Sequence, residues 1–259
     1  MNVSRFIRRK IYGPRIKIEG KSELLRLGSQ YGGWVLVPNE SLKGATILSC
    51  GLGEDASFDV EIAKLYDARV VIVDPTPRAI QHFNAIMAQM GKPKASKYSK
   101  DGCQRIESYE LSGLNSDQFS LVRAALSHSI GYAKFFSPPN PSSVSYSLVN
   151  FQNNYSATTQ FIEVPTIDIA TLISQENLSH IALAKFDIEG AEIQVIPLML
   201  TNGIFPDQIL VEYDELNFPS ARSRRNFNSV NQLLVKAGYT TTWFDGRSCV
   251  SYQLSASIG

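Results

Sequence analysis

The stretch Ile47-Leu48-Ser49-Cys50-Gly51-Leu52-Gly53-Glu54-Asp55-Ala56 reads as a buried strand, a tight glycine turn and the start of a helix. Such a turn brings backbone amides close to a nucleotide-like ligand, because glycine permits both the bend and the approach. An acid, Asp74, ends the apolar run Val70-Val71-Ile72-Val73. It lies roughly 20 residues on, where Rossmann-type sites bind ribose hydroxyls. Glu54 and Asp55 restrict the ligand further. A pyrophosphate at this helix N-terminus would meet two carboxylates, at a cost of about 4 kcal/mol per close pair near a surface. The turn therefore suits a ligand that carries a ribose and positive charge but no phosphate. S-adenosylmethionine, with its ammonium and sulfonium groups, has that chemistry, and the expected activity is methyl transfer.

In this reading the backbone of Gly51, Leu52 and Gly53 lies against the methionine part of the cofactor. Glu54 pairs with the ammonium group through a charge-assisted hydrogen bond worth about 1.5–3 kcal/mol, or it simply complements the helix N-terminus. Asp55 or Ser57 is the candidate N-cap. Asp74 accepts both ribose hydroxyls, or caps the helix that follows at Arg78-Ala79-Ile80, and Pro75-Thr76-Pro77 stiffens the turn between them. Pro75 and, at the end of a later strand, Ser127 complete the cofactor-facing set.

A second group of acids follows in Ala184-Lys185-Phe186-Asp187-Ile188-Glu189-Gly190-Ala191-Glu192, where another strand gives way to a helix. In open α/β sheets ligands bind at the strands' C-terminal edge, so Asp187 and Glu189 are placed to meet the acceptor or the methyl group. Glu192 belongs either to that group or to the first helical turn, whose dipole favours an acid. Like-charge crowding would raise one carboxylate's pKa and make it a base, or the acids would hold a divalent cation through oxygen ligands. Both readings stay open. His128, in Ala124-Ala125-Leu126-Ser127-His128, is a further candidate base or an ordinary surface histidine. His82 and His180 have no partner at metal-ligand spacing.

The elements that must position these residues are visible as apolar runs. Residues 45–50, 69–74, 120–127, 181–187 and 208–214 read as strands, with helical patterns between them. Phe58, Ile62 and Leu65 form one helix face, Ile80, Phe83, Ile86, Met87 and Met90 a second, and Val230, Leu233, Leu234 and Ala237 a third, ended by Gly238. The segments 239–244 and 248–254 flank Asp245-Gly246-Arg247 as a hairpin. The expected fold is α/β: a Rossmann-like, mostly parallel seven-stranded sheet with helices on both faces and a C-terminal antiparallel hairpin. Residues 92–117 read as an irregular crossover, and the Pro- and Ser-rich stretch 137–159 as an inserted loop that lines a binding site. Residues 1–43 are expected to form a basic arm and lead-in strand ahead of a domain spanning 44–259.

With 259 residues, 44% hydrophobic and 19% charged, the chain can bury one substantial core. Its net charge of +1 gives no global reason to expect nucleic acid. Arg5, Arg8, Arg9, Lys10, Arg15 and Lys17 nevertheless crowd the first twenty residues, as a solvated arm or as a peripheral contact with an anionic membrane or partner. Cys50, Cys103 and Cys249 are odd in number and lack C-x-x-C spacing, which favours a reduced, cytoplasmic setting. No cleavable apolar leader is evident, and no apolar run is long enough to suggest a membrane span.

Several of these segments together resemble the FkbM-type methyltransferases, across roughly residues 31–244. They are Tyr31-Gly32-Gly33-Trp34-Val35-Leu36-Val37-Pro38, Gly51-Leu52-Gly53-Glu54-Asp55-Ala56-Ser57-Phe58-Asp59, Val73-Asp74-Pro75-Thr76-Pro77, Lys185-Phe186-Asp187-Ile188-Glu189-Gly190-Ala191-Glu192 and Leu210-Val211-Glu212. Lys134-Phe135-Phe136-Ser137-Pro138 and Val144-Ser145-Tyr146-Ser147 resemble one branch. The resemblance implies dependence on S-adenosylmethionine and O-methylation of hydroxyls on sugars, polyketides and related molecules. Ser49 and Asp55 stand where the commoner Rossmann-like methyltransferase pattern has an acid and a third glycine. Two other readings remain. Gly51-x-Gly53-x-x-Ala56 with Asp74 also satisfies a relaxed nicotinamide-dinucleotide fingerprint, and a non-catalytic module could keep the fold while binding a partner through its basic N-terminus.

Overall fold

The computed structural model describes residues 3–19, 23–136 and 160–255. In chain order the elements are α1 (Val3–Tyr12), β1 (Leu25–Leu27), β2 (Trp34–Leu36), β3 (Thr46–Cys50), α2 (Ser57–Tyr66), β4 (Arg69–Val73) and α3 (Pro77–Met87). Then come β5 (Phe119–Val122), β6 (Ala125–Leu126), β7 (Gly131–Phe136), β8 (Phe161–Ile167), α4 (Ile169–Gln175) and β9 (Leu183–Phe186). The chain finishes with α5 (Glu192–Thr201), β10 (Gln208–Glu212), α6 (Ala221–Lys236), β11 (Tyr239–Phe244) and β12 (Cys249–Leu254).

The unbroken apolar runs are the middle strands of a parallel sheet, because only strands covered on both faces can afford apolar side chains on both. Alternate residues feed two cores. Leu48, Val71, Ala184, Phe186, Ile209 and Val211 pack on one side with α4, α5 and α6. Ile47, Val70, Ile72, Leu183 and Leu210 pack on the other with α2 and α3. The seven strands lie in the order β5-β4-β3-β9-β10-β12-β11. β3, β4, β5, β9 and β10 are mutually parallel, and β12 runs antiparallel between β10 and β11. The expected mostly parallel seven-stranded sheet and its closing hairpin are thus present. The hairpin turns because the Asp245 Oδ1 accepts the amides of Arg247, Ser248 and Cys249 at 2.6, 2.9 and 3.1 Å.

Three sequence expectations need correction. The run 120–127 is not one strand: it leaves the main sheet after Val122, and β6 joins β8 and β7 in a second sheet of order β6-β8-β7. The exposed Arg123 marks the break. Leu65 is 55% exposed, so the buried face of α2 consists of Phe58, Val60, Ile62 and Ala63. Helix α3 stops at Met87, short of Met90. The crossover 92–117 is irregular as expected, with one 3-10 turn at Ile106–Ser108 and another following at Ser116–Gln118. The inserted loop 137–159, with Ser137, Pro138 and Val144-Ser145-Tyr146-Ser147, lies outside the described residues.

The lead-in segment is packed into the sheet. Gln208 exchanges hydrogen bonds with the backbone of Val37 at 2.9 and 2.8 Å, and the Ser251 hydroxyl donates to the Val35 carbonyl at 2.6 Å. The basic arm is also laid down: the Arg224 guanidinium donates to the Ile11 carbonyl at 3.1 Å, and the Glu19 amide donates to Thr241 at 2.8 Å. Among the described residues no helix is long and apolar enough to cross a membrane.

One buried chain of polar groups ties the crossover to the start of α2. The Tyr109 hydroxyl accepts the Ala56 amide at 3.0 Å and lies 2.7 Å from the His82 Nε2. Burial lowers the His82 pKa, so the neutral ring accepts the tyrosine proton. As pH falls through the unfolded value of about 6.5, the unfolded chain binds a proton that the folded chain resists, and stability is lost. Tyr109→Phe is expected to cost about 1–3 kcal/mol in chemical denaturation. In His82→Gln the fall in melting temperature between about pH 7 and about pH 5 should be smaller than in the wild type.

Candidate functional site

Sheet register sets the level of every group in the site. Cys50 pairs with Val73 on one side and Phe186 on the other, and Phe186 pairs with Val211. The next residue on each strand is therefore Asp74, Gly51, Asp187 and Glu212, side by side across β4, β3, β9 and β10. Neighbours are separated by about 4.8 Å, the spacing of adjacent strands. All four lie at the C-terminal edge and line one cavity of about 690 Å³.

Gly51 makes this edge possible. It has φ +91°, and a Cβ there would run into the carbonyl oxygen of Asp187. Its own amide donates to Val73 at 3.0 Å, and the Asp187 amide donates to Cys50 at 3.0 Å. The buried Lys185 closes the junction from below, donating to the Gly51 carbonyl at 2.5 Å and to the Ser49 hydroxyl at 3.4 Å. Its ammonium also lies 5.7 Å from the centre of the Trp34 ring.

Asp74 organises the turn. Its Oδ2 accepts the amides of Leu52 and Gly53 at 2.9 and 3.0 Å, and its Oδ1 accepts the Thr76 amide and hydroxyl at 2.8 and 2.7 Å. Four donors match the roughly four lone-pair positions of a carboxylate. Helix capping, the alternative reading of Asp74, falls instead to Thr76, whose hydroxyl accepts the Ala79 amide at 3.4 Å.

The two acids after Gly53 separate in role. The Asp55 carboxylate is buried; it accepts the Ser29 hydroxyl at 2.6 Å, the Gln104 side-chain amide at 3.0 Å and the Ser57 amide at 3.0 Å. It thus serves the helix start as expected, although the cap residue itself is Ala56. Asp55 also holds the segment 29–33 beside the cavity, with Gly32 so close that a Cβ would meet its carboxylate at 2.7 Å. Glu54 lines the cavity but forms an ion pair with Arg78. A cationic ligand at Glu54 has to share that carboxylate.

At the other end of the cavity, burial pushes the Asp187 pKa up to about 7; the Glu212 charge adds to the rise and Lys185 opposes it. Asp214 is likewise raised, to about 6, by burial, against a hydrogen bond from Asn217. The acids that crowd Asp187 thus include Glu212 and Asp214 at and just past the end of β10 and Asp74 after β4, and not Glu189 and Glu192 as the sequence suggested. Glu192 is wholly buried and its pKa is raised by that burial; it accepts the Gly190 amide at 2.9 Å and the Asp214 amide at 3.3 Å, joining the two strand ends. Glu189 does line the cavity, with φ +54°, a strained conformation for a residue with a side chain.

The cavity brings together Gly51, Leu52, Gly53, Glu54, Asp74, Pro75, Asp187 and Glu189. Among the described residues its lining includes Ala125 and Leu126 of β6 but not Ser127 or His128, which follow them. Ser127 is buried, its amide donating to Ile167 at 2.9 Å, and His128 is exposed. Sequence reasoning missed Asp214, Gln104 and Ser29. Only the alternation Glu212-Tyr213-Asp214 at a strand end hinted at the first, and nothing local marked the other two. Cys249 also lines the cavity, but burial and the charge of Glu212 raise its pKa and keep it a thiol. Among the described residues no group of three or more His, Cys, Asp or Glu side chains is arranged to hold a metal ion.

A mostly parallel sheet with strand order β5-β4-β3-β9-β10-β12-β11 carries a glycine turn after β3 and acids at the ends of β4 and β9, an arrangement in keeping with a methyltransferase fold. The methyltransferase FkbM domain matches residues 44–241, and the chain belongs to that family. No match was found among curated proteins or solved structures.

The Gly51 contact makes a simple prediction. Gly44 has φ +65° with open space around it, so Gly44→Ala carries only the backbone penalty, on the order of 1 kcal/mol. Gly51→Ala adds the collision with Asp187 and should lower stability clearly further in denaturant melts; equal losses would mean that the junction tolerates a side chain.

Proposed function

We propose that this chain is an S-adenosylmethionine-dependent O-methyltransferase acting on a hydroxyl group of a small molecule or sugar. The charge of the cavity carries this reading. Among the described residues, Glu54, Asp55, Asp74, Asp187, Glu189, Glu212, Asp214 and Asp245 line it against three cations, Arg26, Lys185 and Arg247. Such a lining favours a ligand with ammonium and sulfonium charges and disfavours one with two phosphates. The amides of Leu52 and Gly53, which a pyrophosphate would need, are committed to Asp74.

S-adenosylmethionine supplies an electrophilic methyl group on a cationic sulfur. The Gly51–Gly53 turn would give the close floor for it, Asp74 and Pro75 would border its ribose, and the Glu54 carboxylate, shared with Arg78, would meet its ammonium group. A ribose hydroxyl at Asp74 would share lone pairs with the turn amides. Asp187, on the neighbouring strand, takes the proton from the acceptor hydroxyl. A carboxylate with a pKa near 7 is far better matched to that task than an ordinary one. Lys185 and Gly51 fix the height of Asp187, and Glu192 fixes the loop that carries Glu189.

Titration calorimetry with S-adenosylmethionine and with a nicotinamide dinucleotide tests the cofactor: the first should bind, and tight binding of the second alone would reverse the assignment. Transfer of a labelled methyl group to hydroxyl compounds, read by mass spectrometry, tests the reaction. With an acceptor in hand, the wild-type rate should climb with pH and level off above about 7. Asp187→Asn should lose that limb and about 10²- to 10⁴-fold of the rate while still binding the cofactor. An unchanged pH profile would remove Asp187 as the base.

A further inference from the structure

The chain's net charge of +1 conceals a strong separation. Helices α1 and α6 each hold four Lys or Arg residues and no Asp or Glu, while the other residues hold 17 basic and 24 acidic side chains, a net charge of −7. The Arg224 to Ile11 hydrogen bond sets the end of α1 beside the first turn of α6, and this junction forms one surface. Exposed on it are Arg8, Arg222 and Arg225, together with Ile7 at 51% and Ile11 at 54% exposure, one helical turn apart on α1.

Two features mark this surface as more than solvated charge. Arg222, Arg224 and Arg225 lie among the first five residues of α6, where the helix dipole disfavours cations; the first turn holds no acid, and Glu215, just before the helix, is near enough to Arg222 to feel its charge. Exposed isoleucines among cations cost solubility and add nothing to binding of a free anion, whereas an anionic bilayer accepts both parts: its headgroups meet the charges and its acyl boundary buries the isoleucines.

We propose that the α1–α6 face docks on an anionic phospholipid bilayer. Helix α6 starts just past Phe218, a residue that lines the cavity and is 38% exposed, so docking by the N-terminal half of α6 brings the mouth of the cavity beside the membrane surface. This inference is independent of the methyl-transfer reading.

The test is co-sedimentation of the full chain with vesicles of phosphatidylcholine alone and with a phosphatidylglycerol admixture. Binding should require the anionic lipid and fall steeply as salt is raised. Arg222→Glu/Arg225→Glu should weaken it by about 30-fold or more, since each cation near such a surface counts for most of a tenfold factor. Ile7→Glu/Ile11→Glu should weaken it as well, with the melting temperature of each variant confirming its fold. Should a variant misfold, the salt titration and the lipid comparison on the wild type decide. Absence of binding, equal binding to the uncharged vesicles, or binding that survives both pairs of substitutions overturns the proposal. So does duplex DNA binding as tight as that to vesicles and unaffected by the isoleucine changes, which would assign the surface to nucleic acid.

Discussion

The meeting of β3 and β9 is the constraint on which the site depends. At that junction two backbones approach so closely that position 51 has no room for a side chain, and the approach is held by the Asp187 amide on Cys50 and the Lys185 ammonium on Gly51. The glycine turn and the candidate base are thus parts of one hydrogen-bonded unit. Parallel register then spreads the arrangement sideways, to Asp74 on β4 and Glu212 on β10, without any loop having to carry it.

The same residue type does two kinds of work along this edge. Asp74 meets four donors and acts as the clamp of the glycine turn. Asp187 is buried beside Glu212 and near Asp214, and its proton is held more tightly by that burial first and by those charges second. A site built this way separates a clamped carboxylate from one whose proton is held more tightly by burial and neighbours, two strands apart. Charge is divided on a larger scale too: the acids collect around the cavity while α1 and α6 carry only cations.

Much of the fold was legible because its signals are local and repeated. Unbroken apolar runs in residues 45–50, 69–74 and 208–214, the Asp245-Gly246-Arg247 turn and the glycine turn after Cys50 each depend on a few adjacent residues, and each took the expected form. The run 120–127 misled because its apolar character continues through two strands that belong to different sheets. In the site, Asp55 could be identified as special but not explained: its partners Ser29 and Gln104 lie 26 and 49 residues away. Crowding of Asp187 was anticipated with the wrong neighbours, since Glu189 and Glu192 are close in sequence while Glu212 is close in space.

The sequence by itself determined the sheet's strands, the glycine turn, the acids at two strand ends and the kinship with methyltransferases, because composition and spacing within about ten residues are enough for each. Tertiary structure decided which acid is clamped, which is paired with Arg78, which is crowded toward a pKa near 7, and which candidates fall outside the cavity. Those outcomes depend on register between strands distant in the chain and on burial, and a carboxylate's charge state answers to its neighbours in space, not to its neighbours in sequence.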